Sequence, residues 1–178
     1  MLMKGFCHWT TSSYELAEMT LLMLDTNIIS DMMRNPHGLA MQRSAKKLGE
    51  DPKAESCTSL VVNCELLFGL AQRPSPRLSA AYDRVMATLE TLPLGPELAP
   101  VYAGLRCHME SHGLMMGPND LLIAAHALTI NATLVSADAA FAGVPGLQVE
   151  NWLADGSMPI RLTPKNSVRP LQVASGAG

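Results

Sequence analysis

Leu21-Leu22-Met23-Leu24-Asp25-Thr26-Asn27 is four consecutive apolar residues that stop at three polar ones. A short unbroken apolar run of this kind reads as a strand buried on both faces of a parallel sheet, with a polar C-terminal end. The form returns at Thr133-Leu134-Val135-Ser136, a second apolar strand that ends in polar residues. Between the two, helical stretches fall at residues 28–33 and 39–48, the first broken by Asn35-Pro36-His37-Gly38 and the second stopped by Gly49. Residues 57–62 are β-prone and lead into a helical stretch at 63–71. The run Arg73-Pro74-Ser75-Pro76-Arg77 is a loop. Helices are expected at 78–90, 98–112 and 120–128, a short strand at 91–93 and a last extended piece at 144–151. Strands alternating with helices argue for an α/β sandwich with a mostly parallel sheet, whose sites gather at the C-terminal ends of strands.

A chain of 178 residues is long enough to bury a single core, and we expect one globular unit. Residues 1–22 read as an N-terminal extension with no packing role, Met23 being a second place where translation could start. Residues 23–153 form the folded domain, and 154–178, with Gly156, Pro159, Pro164 and Pro170 and a Ser-Gly-Ala-Gly end, a flexible tail. No apolar run reaches the roughly 18 residues that cross a bilayer, and the first 20 residues are too polar for a signal peptide. No membrane association and a cytoplasmic location are therefore expected. Cys7, Cys57, Cys64 and Cys107 form no C-x-x-C pair and read as unpaired thiols of a reducing compartment. The formal charge of -3 runs against a nucleic-acid-binding protein unless several carboxylates are gathered round a cation.

Four acids sit where the local pattern calls for something apolar or neutral. Asp25 closes a buried strand, Glu65 lies among Val61, Val62, Leu66, Leu67 and Phe68, Asp120 opens an apolar helix, and Asp138 follows the second strand. An ionised carboxylate in such a setting must be paired, hydrogen-bonded or bound to metal, and none has a local Lys or Arg. Singly, each has a plainer reading: Asp120 as a first-turn acid favoured by the helix dipole, Asp25 and Asp138 as turn residues.

The chain resembles the PIN-domain nucleases, and among them the VapC-like toxins of type II toxin–antitoxin systems. Leu24-Asp25-Thr26-Asn27-Ile28-Ile29-Ser30 is similar to the family's opening strand. Cys64-Glu65-Leu66-Leu67-Phe68-Gly69 resembles its E-L-x-x-G helix, and Gly117-Pro118-Asn119-Asp120-Leu121-Leu122-Ile123-Ala124-Ala125 its N-D-x-x-I-A-A helix. Val135-Ser136-Ala137-Asp138, with Phe141 and Val144-Pro145-Gly146-Leu147, resembles its fourth segment. The resemblance implies a three-layer α/β/α sandwich in which Asp25, Glu65, Asp120 and Asp138 meet at one pocket, are the catalytic residues and hold Mg²⁺ or Mn²⁺. Thr26, Asn27 and Ser136 would support these ligands or the scissile phosphate, and Asn119 would be a helix cap first. Family members vary most in the fourth block, so Asp138 is the ligand expected to matter least.

The implied activity is metal-dependent endoribonuclease cleavage of RNA, by the toxin of a toxin–antitoxin pair. Hard oxygen ligands independently favour Mg²⁺ or Mn²⁺ over zinc. Arg34, Arg43, Lys46, Lys47, Arg73 and Arg77 are the candidate phosphate contacts. A cognate antitoxin and a homodimer are expected partners, with Met32, Met33 and Met41 as one available surface. Replacing Asp25 by Asn is expected to leave the metal-free protein as stable or slightly more so, because crowded carboxylates repel.

Alternatives are a non-catalytic PIN fold that only binds RNA or protein, and a haloacid-dehalogenase-like phosphatase with Asp25 as nucleophile. The second lacks its general acid, since Asn27 stands at the third position of D-x-D. His108 and His112 share a helix face, but Met109 stands where a zinc peptidase needs Glu. No glycine-rich nucleotide-binding loop occurs.

Overall fold

A computed structural model describes residues 19–154 and 159–160. The apolar run becomes β1 (Thr20–Leu24), the central strand of the sheet. Two helices then separate each strand from the next: α1 (Thr26–Arg34) and α2 (Leu39–Glu50) lead to β2 (Ala54–Ser59), and α3 (Leu60–Gln72) and α4 (Pro76–Met86) to β3 (Glu90–Leu92). Next, α5 (Leu98–Ser111) and α6 (Pro118–Thr129) lead to β4 (Thr133–Val135). A 3₁₀ turn (Ala139–Gly143), β5 (Val149–Glu150) and β6 (Pro159–Ile160) follow.

The sheet order is β3-β2-β1-β4-β5-β6. The first five strands are parallel, and β6 runs antiparallel to β5. The chain winds outward one way from β1 to β3, then returns to the other side of β1 for β4. That reversal opens a crevice at the C-terminal ends of β1 and β4, where ligands bind in open α/β sheets. The result is the expected three-layer α/β/α sandwich.

The core is built on Leu22, Met23 and Leu24 of β1, Leu134 and Val135 of β4, and the helix residues Ile28, Ile29, Val62, Ile123 and Ala124, each at most 1% exposed. Trp152 and Phe141 close its end beyond β4. Trp152 Nε1 donates to Glu150 Oε2, and Glu150 Oε1 in turn accepts from Lys47. His126 is buried with Nδ1 2.9 Å from Ser59 Oγ, and burial holds its imidazole below the ordinary value.

Several boundaries differ from expectation. β1 begins at Thr20, three residues before the boundary drawn at Met23, and Leu22 is already core. The second strand runs over Ala54–Ser59 instead of 57–62, because Ser59 Oγ accepts from Val61 N and caps α3, turning 60–62 into its first helical turn. The helix expected to reach Glu90 ends at Met86, and Glu90 belongs to β3. Of the extended piece 144–151 only Val149–Glu150 is strand. Met32 is 4% exposed in the core, so the methionine surface expected at Met32, Met33 and Met41 does not form. Met41 is exposed on α2 with Leu39 and Leu48, and a second exposed apolar group lies along α3 at Leu60, Leu67 and Phe68. Cys57, Cys64 and Cys107 are free thiols, and burial pushes Cys57 up to about 12. Cys7, and the expectations for residues 1–18 and most of 155–178, lie outside the described residues. Among those described, no helix is long and apolar enough to cross a membrane.

Candidate active site

At the crevice, the register pairing Leu24 with Val135 sets the next residues of the two strands side by side. Asp25 N donates to Val135 O, and Thr58 Oγ1 of β2 donates to Leu24 O, so the backbone entering the site is held from both flanks. Asp25 is the N-cap of α1 and only 5% exposed. Its Oδ1 accepts from Thr26 N at 2.7 Å; its Oδ2 accepts from Asn27 Nδ2 and Ser136 Oγ, each at 2.7 Å. Asn27 also donates to Ser136 Oγ and accepts at Oδ1 from Ala137 N, stitching α1 to the loop after β4. Thr26, Asn27 and Ser136 thus stand around Asp25 as supports.

Glu65 reaches the same place from the middle of α3. Its Oε2 accepts from Thr26 Oγ1 at 2.5 Å and its Oε1 from Asn119 Nδ2 at 2.8 Å. Asn119 is therefore not a helix cap: α6 starts with Pro118 after Gly117, and the Asn119 amide is used to hold Glu65. Asp138 caps the 3₁₀ turn, accepting from Ala140 N at 2.8 Å, while its own N–H donates to Ser136 Oγ.

Asp120 is different. It stands in the first turn of α6, half-buried, and its carboxylate accepts no hydrogen bond from the described residues. Burial pushes its pKa up, and the facing charges of Glu65 and Asp138 push it further. Burial likewise raises Asp25, against the hydrogen bonds from Ser136 and Thr26 that lower it, with Asp120 and Glu65 adding repulsion. Two carboxyls held above their ordinary values, each repelled by other acids, mark a pocket short of positive charge.

Asp25, Glu65, Asp120 and Asp138 line one cavity of about 480 Å³ together with Thr26 and Asn27. Among the described residues, no three Asp, Glu, His or Cys side chains stand close enough to grip a common ion as they lie. Asp25 and Glu65 are fixed by their donors, whereas no donor among the described residues fixes the Asp120 carboxylate. The cavity also includes Ser30, Asp31, Arg34 and Leu153, which the sequence reading did not place there. Their signal was present in part: Asn27, Ser30, Asp31 and Arg34 follow i, i+3, i+4, i+7 spacing, one face of α1. Leu153 lies far along the chain and carried no such signal.

The expected phosphate contacts now separate. Lys47 pairs with Glu150 at 2.6 Å, Lys46 with Glu50, and Arg43 donates to the carbonyls of Asn151 and Ala154. Of the six, only Arg34 lines the cavity. His112 is turned back on its own helix, Nδ1 2.8 Å from His108 O, with the two rings stacked 4.1 Å apart, and among the described residues no third ligand joins the pair.

The PIN domain family model matches residues 22–147. Ribonuclease VapC2 of Rickettsia felis is 32% identical over 74% of this chain and 98% of its own length. The tRNA(fMet)-specific endonuclease VapC of Shigella flexneri is 27% identical over 75% of this chain and 99% of its own length. Among solved structures, VapBC2 from Rickettsia felis bound to a DNA fragment from their promoter matches with a TM-score of 0.68 and 31% identity, covering 75% of this chain and 99% of that one. With the fold, the ordered acidic blocks and a relative of this identity in agreement, the chain belongs to the PIN domain family, among the VapC ribonucleases.

Proposed function

We propose that this chain hydrolyses RNA phosphodiester bonds with Mg²⁺ or Mn²⁺ held by Asp25, Glu65, Asp120 and Asp138, and that it acts in the cytoplasm as the toxin of a toxin–antitoxin pair. The observation that carries the metal is Asp120: a half-buried carboxylate with no donor, repelled by Glu65 and Asp138. A hard divalent cation is the partner such an oxygen set selects. When bound, such an ion would supply activation of a water, screening of the phosphodiester and stabilisation of the leaving oxygen.

The protein's own part is positioning. Ser136, Asn27 and Thr26 N–H hold Asp25 in its charged form and in one orientation, despite burial. Thr26 Oγ1 and Asn119 aim Glu65 across the cavity, and Asp120 would lend its unengaged oxygens to the same ion. Hydrolysis by a water held there leaves a 5′-phosphate and a 3′-hydroxyl. The open crevice suits single-stranded or loop RNA, whose splayed phosphates reach recessed acids more easily than those of a duplex. A non-catalytic binding module is disfavoured because all four acids line one cavity.

The partner side rests on the relatives, several of whose structures are of VapBC pairs. A cognate antitoxin that presents an Arg or Lys to the pocket would neutralise it as a metal does. The exposed Leu60, Leu67 and Phe68 of α3 give an apolar surface for that antitoxin or for a second copy of this chain. The test is incubation of the purified chain with total RNA in Mg²⁺, Mn²⁺ or EDTA, with mapping of product ends. Discrete cuts bearing 5′-phosphates in the metal arms support the reading; equal cleavage in EDTA overturns it.

A further inference from the structure

Helix α1 starts at the acids and runs outward along the cavity wall. Asn27, Ser30, Asp31 and Arg34 lie on its cavity face, so the wall changes from carboxylate at Asp25 to guanidinium at Arg34. Asp31 Oδ1 accepts from Asn35 Nδ2, and Arg34 makes no ion pair or hydrogen bond among the described residues. Its side chain is exposed. The basic residues of neighbouring α2 are engaged elsewhere, Lys46 with Glu50, Lys47 with Glu150 and Arg43 with backbone carbonyls. Among the described residues Arg34 is thus the one cation in the wall of this mostly acidic and polar cavity, and none of them pairs with it.

We infer that Arg34 is a substrate-binding residue that grips an RNA phosphate a few nucleotides from the scissile one; this rests on the ribonuclease reading of the same cavity. Seven residues of helix separate Asn27 from Arg34, about 10 Å along the axis. That spacing favours a phosphate other than the one met at Asp25. It matches a phosphate further along a strand that rises about 3.4 Å per nucleotide when stacked. The planar guanidinium suits two phosphate oxygens at once, which an ammonium does not. The strand then runs along α1 over Arg34, whose attraction offsets the repulsion the RNA meets at the acids.

The experiment measures binding and cleavage separately on the full chain. Anisotropy of a fluorescein-labelled single-stranded RNA oligonucleotide in Ca²⁺, checked intact on a gel, is followed from low to high salt for the parent, Arg34→Ala, Arg34→Lys and Arg84→Ala. We expect Arg34→Ala to weaken binding roughly ten-fold at low salt. It should also flatten the slope of log K against log salt by about 0.7, the share of one phosphate on a single strand. Arg34→Lys restores the slope but only part of the affinity, and Arg84→Ala changes neither. In Mg²⁺, Arg34→Ala raises KM and leaves kcat within about two-fold. An unchanged slope, a parent that binds no RNA, or a loss confined to kcat overturns the proposal. A parent that binds with the Arg34-dependent slope yet cuts nothing in Mg²⁺ or Mn²⁺ overturns the ribonuclease reading and leaves Arg34 as a binding residue.

Discussion

Ser136 Oγ, at the end of β4, donates a 2.7 Å hydrogen bond to Oδ2 of Asp25, 111 residues earlier at the end of β1. Adjacent parallel strands bring the two residues together, and the bond lowers a pKa that burial raises. Removing the hydroxyl leaves a buried charge with one donor fewer. Ser136→Ala should therefore cost about 1–3 kcal/mol of stability at neutral pH in EDTA. The loss should shrink near pH 4, where Asp25 carries its proton and needs the donor less. Denaturant melts at the two pH values check this; an equal loss at both would show that Ser136 only fills space.

Asn substitutions at Asp25 and Asp120 should act in opposite directions on the metal-free protein. At Asp25 the hydrogen bonds change the expectation drawn from charge crowding alone: both oxygens accept, so an Asn there turns an N–H toward a donor on one side. Asp25→Asn should destabilise by about 1–3 kcal/mol. Asp120 has no donors to lose and sheds only repulsion, so Asp120→Asn should melt at or above the parent temperature. Thermal melts in EDTA decide it, and destabilisation by Asp120→Asn would mean that its carboxylate has a partner.

Both raised carboxyls also set a pH dependence. A carboxyl with a raised folded pKa binds its proton more tightly in the native state, so its contribution is fully present below the ordinary value near 4 and is lost as pH rises through the folded value. His126, depressed by burial, works the other way, losing stability as pH falls from about 6.5 towards its lower folded value. Subtracting the Asp120→Asn curve from the parent's isolates the carboxyl. The parent should lose stability relative to the variant as pH rises from 4 to 7, and a flat difference would contradict the electrostatic account of Asp120.

Much of this site was legible because its residues break a local pattern. Asp25, Glu65 and Asp120 stand out against apolar neighbours, and period and turn chemistry placed the central strand to within one residue. What escaped was set by partners distant in sequence. Asn119 reads as a cap until Glu65, 54 residues away, claims its amide, and Leu153 enters the cavity wall only through the fold. The start of α3 was misplaced because β-branched Val61 and Val62 look like strand, while the Ser59 cap decides for helix.

Gly117 leaves room for Asp120. A Cβ built there would lie 2.8 Å from Asp120 Oδ2, while the backbone φ of -60° suits any residue. Gly117→Ala should keep the melting temperature within a few degrees and displace the carboxylate, lowering cleavage at least ten-fold at low metal. Activity assays across Mg²⁺ concentration check it, and full activity at all of them would show that Asp120 need not hold its present place.

The most direct test of the metal-cluster account is the stabilisation of the folded chain by Mn²⁺, measured for the parent and Asp120→Asn in the same titration. An ion that binds only the native state adds RT ln(1 + [L]/Kd), about 1.4 kcal/mol at ten times Kd. The parent should gain this, at about 2–4 °C per kcal/mol for a chain of this size. The variant should gain much less while remaining folded. A parent whose melting temperature ignores Mn²⁺ into the millimolar range, or a variant that gains as much as the parent, would contradict the role given to these four acids.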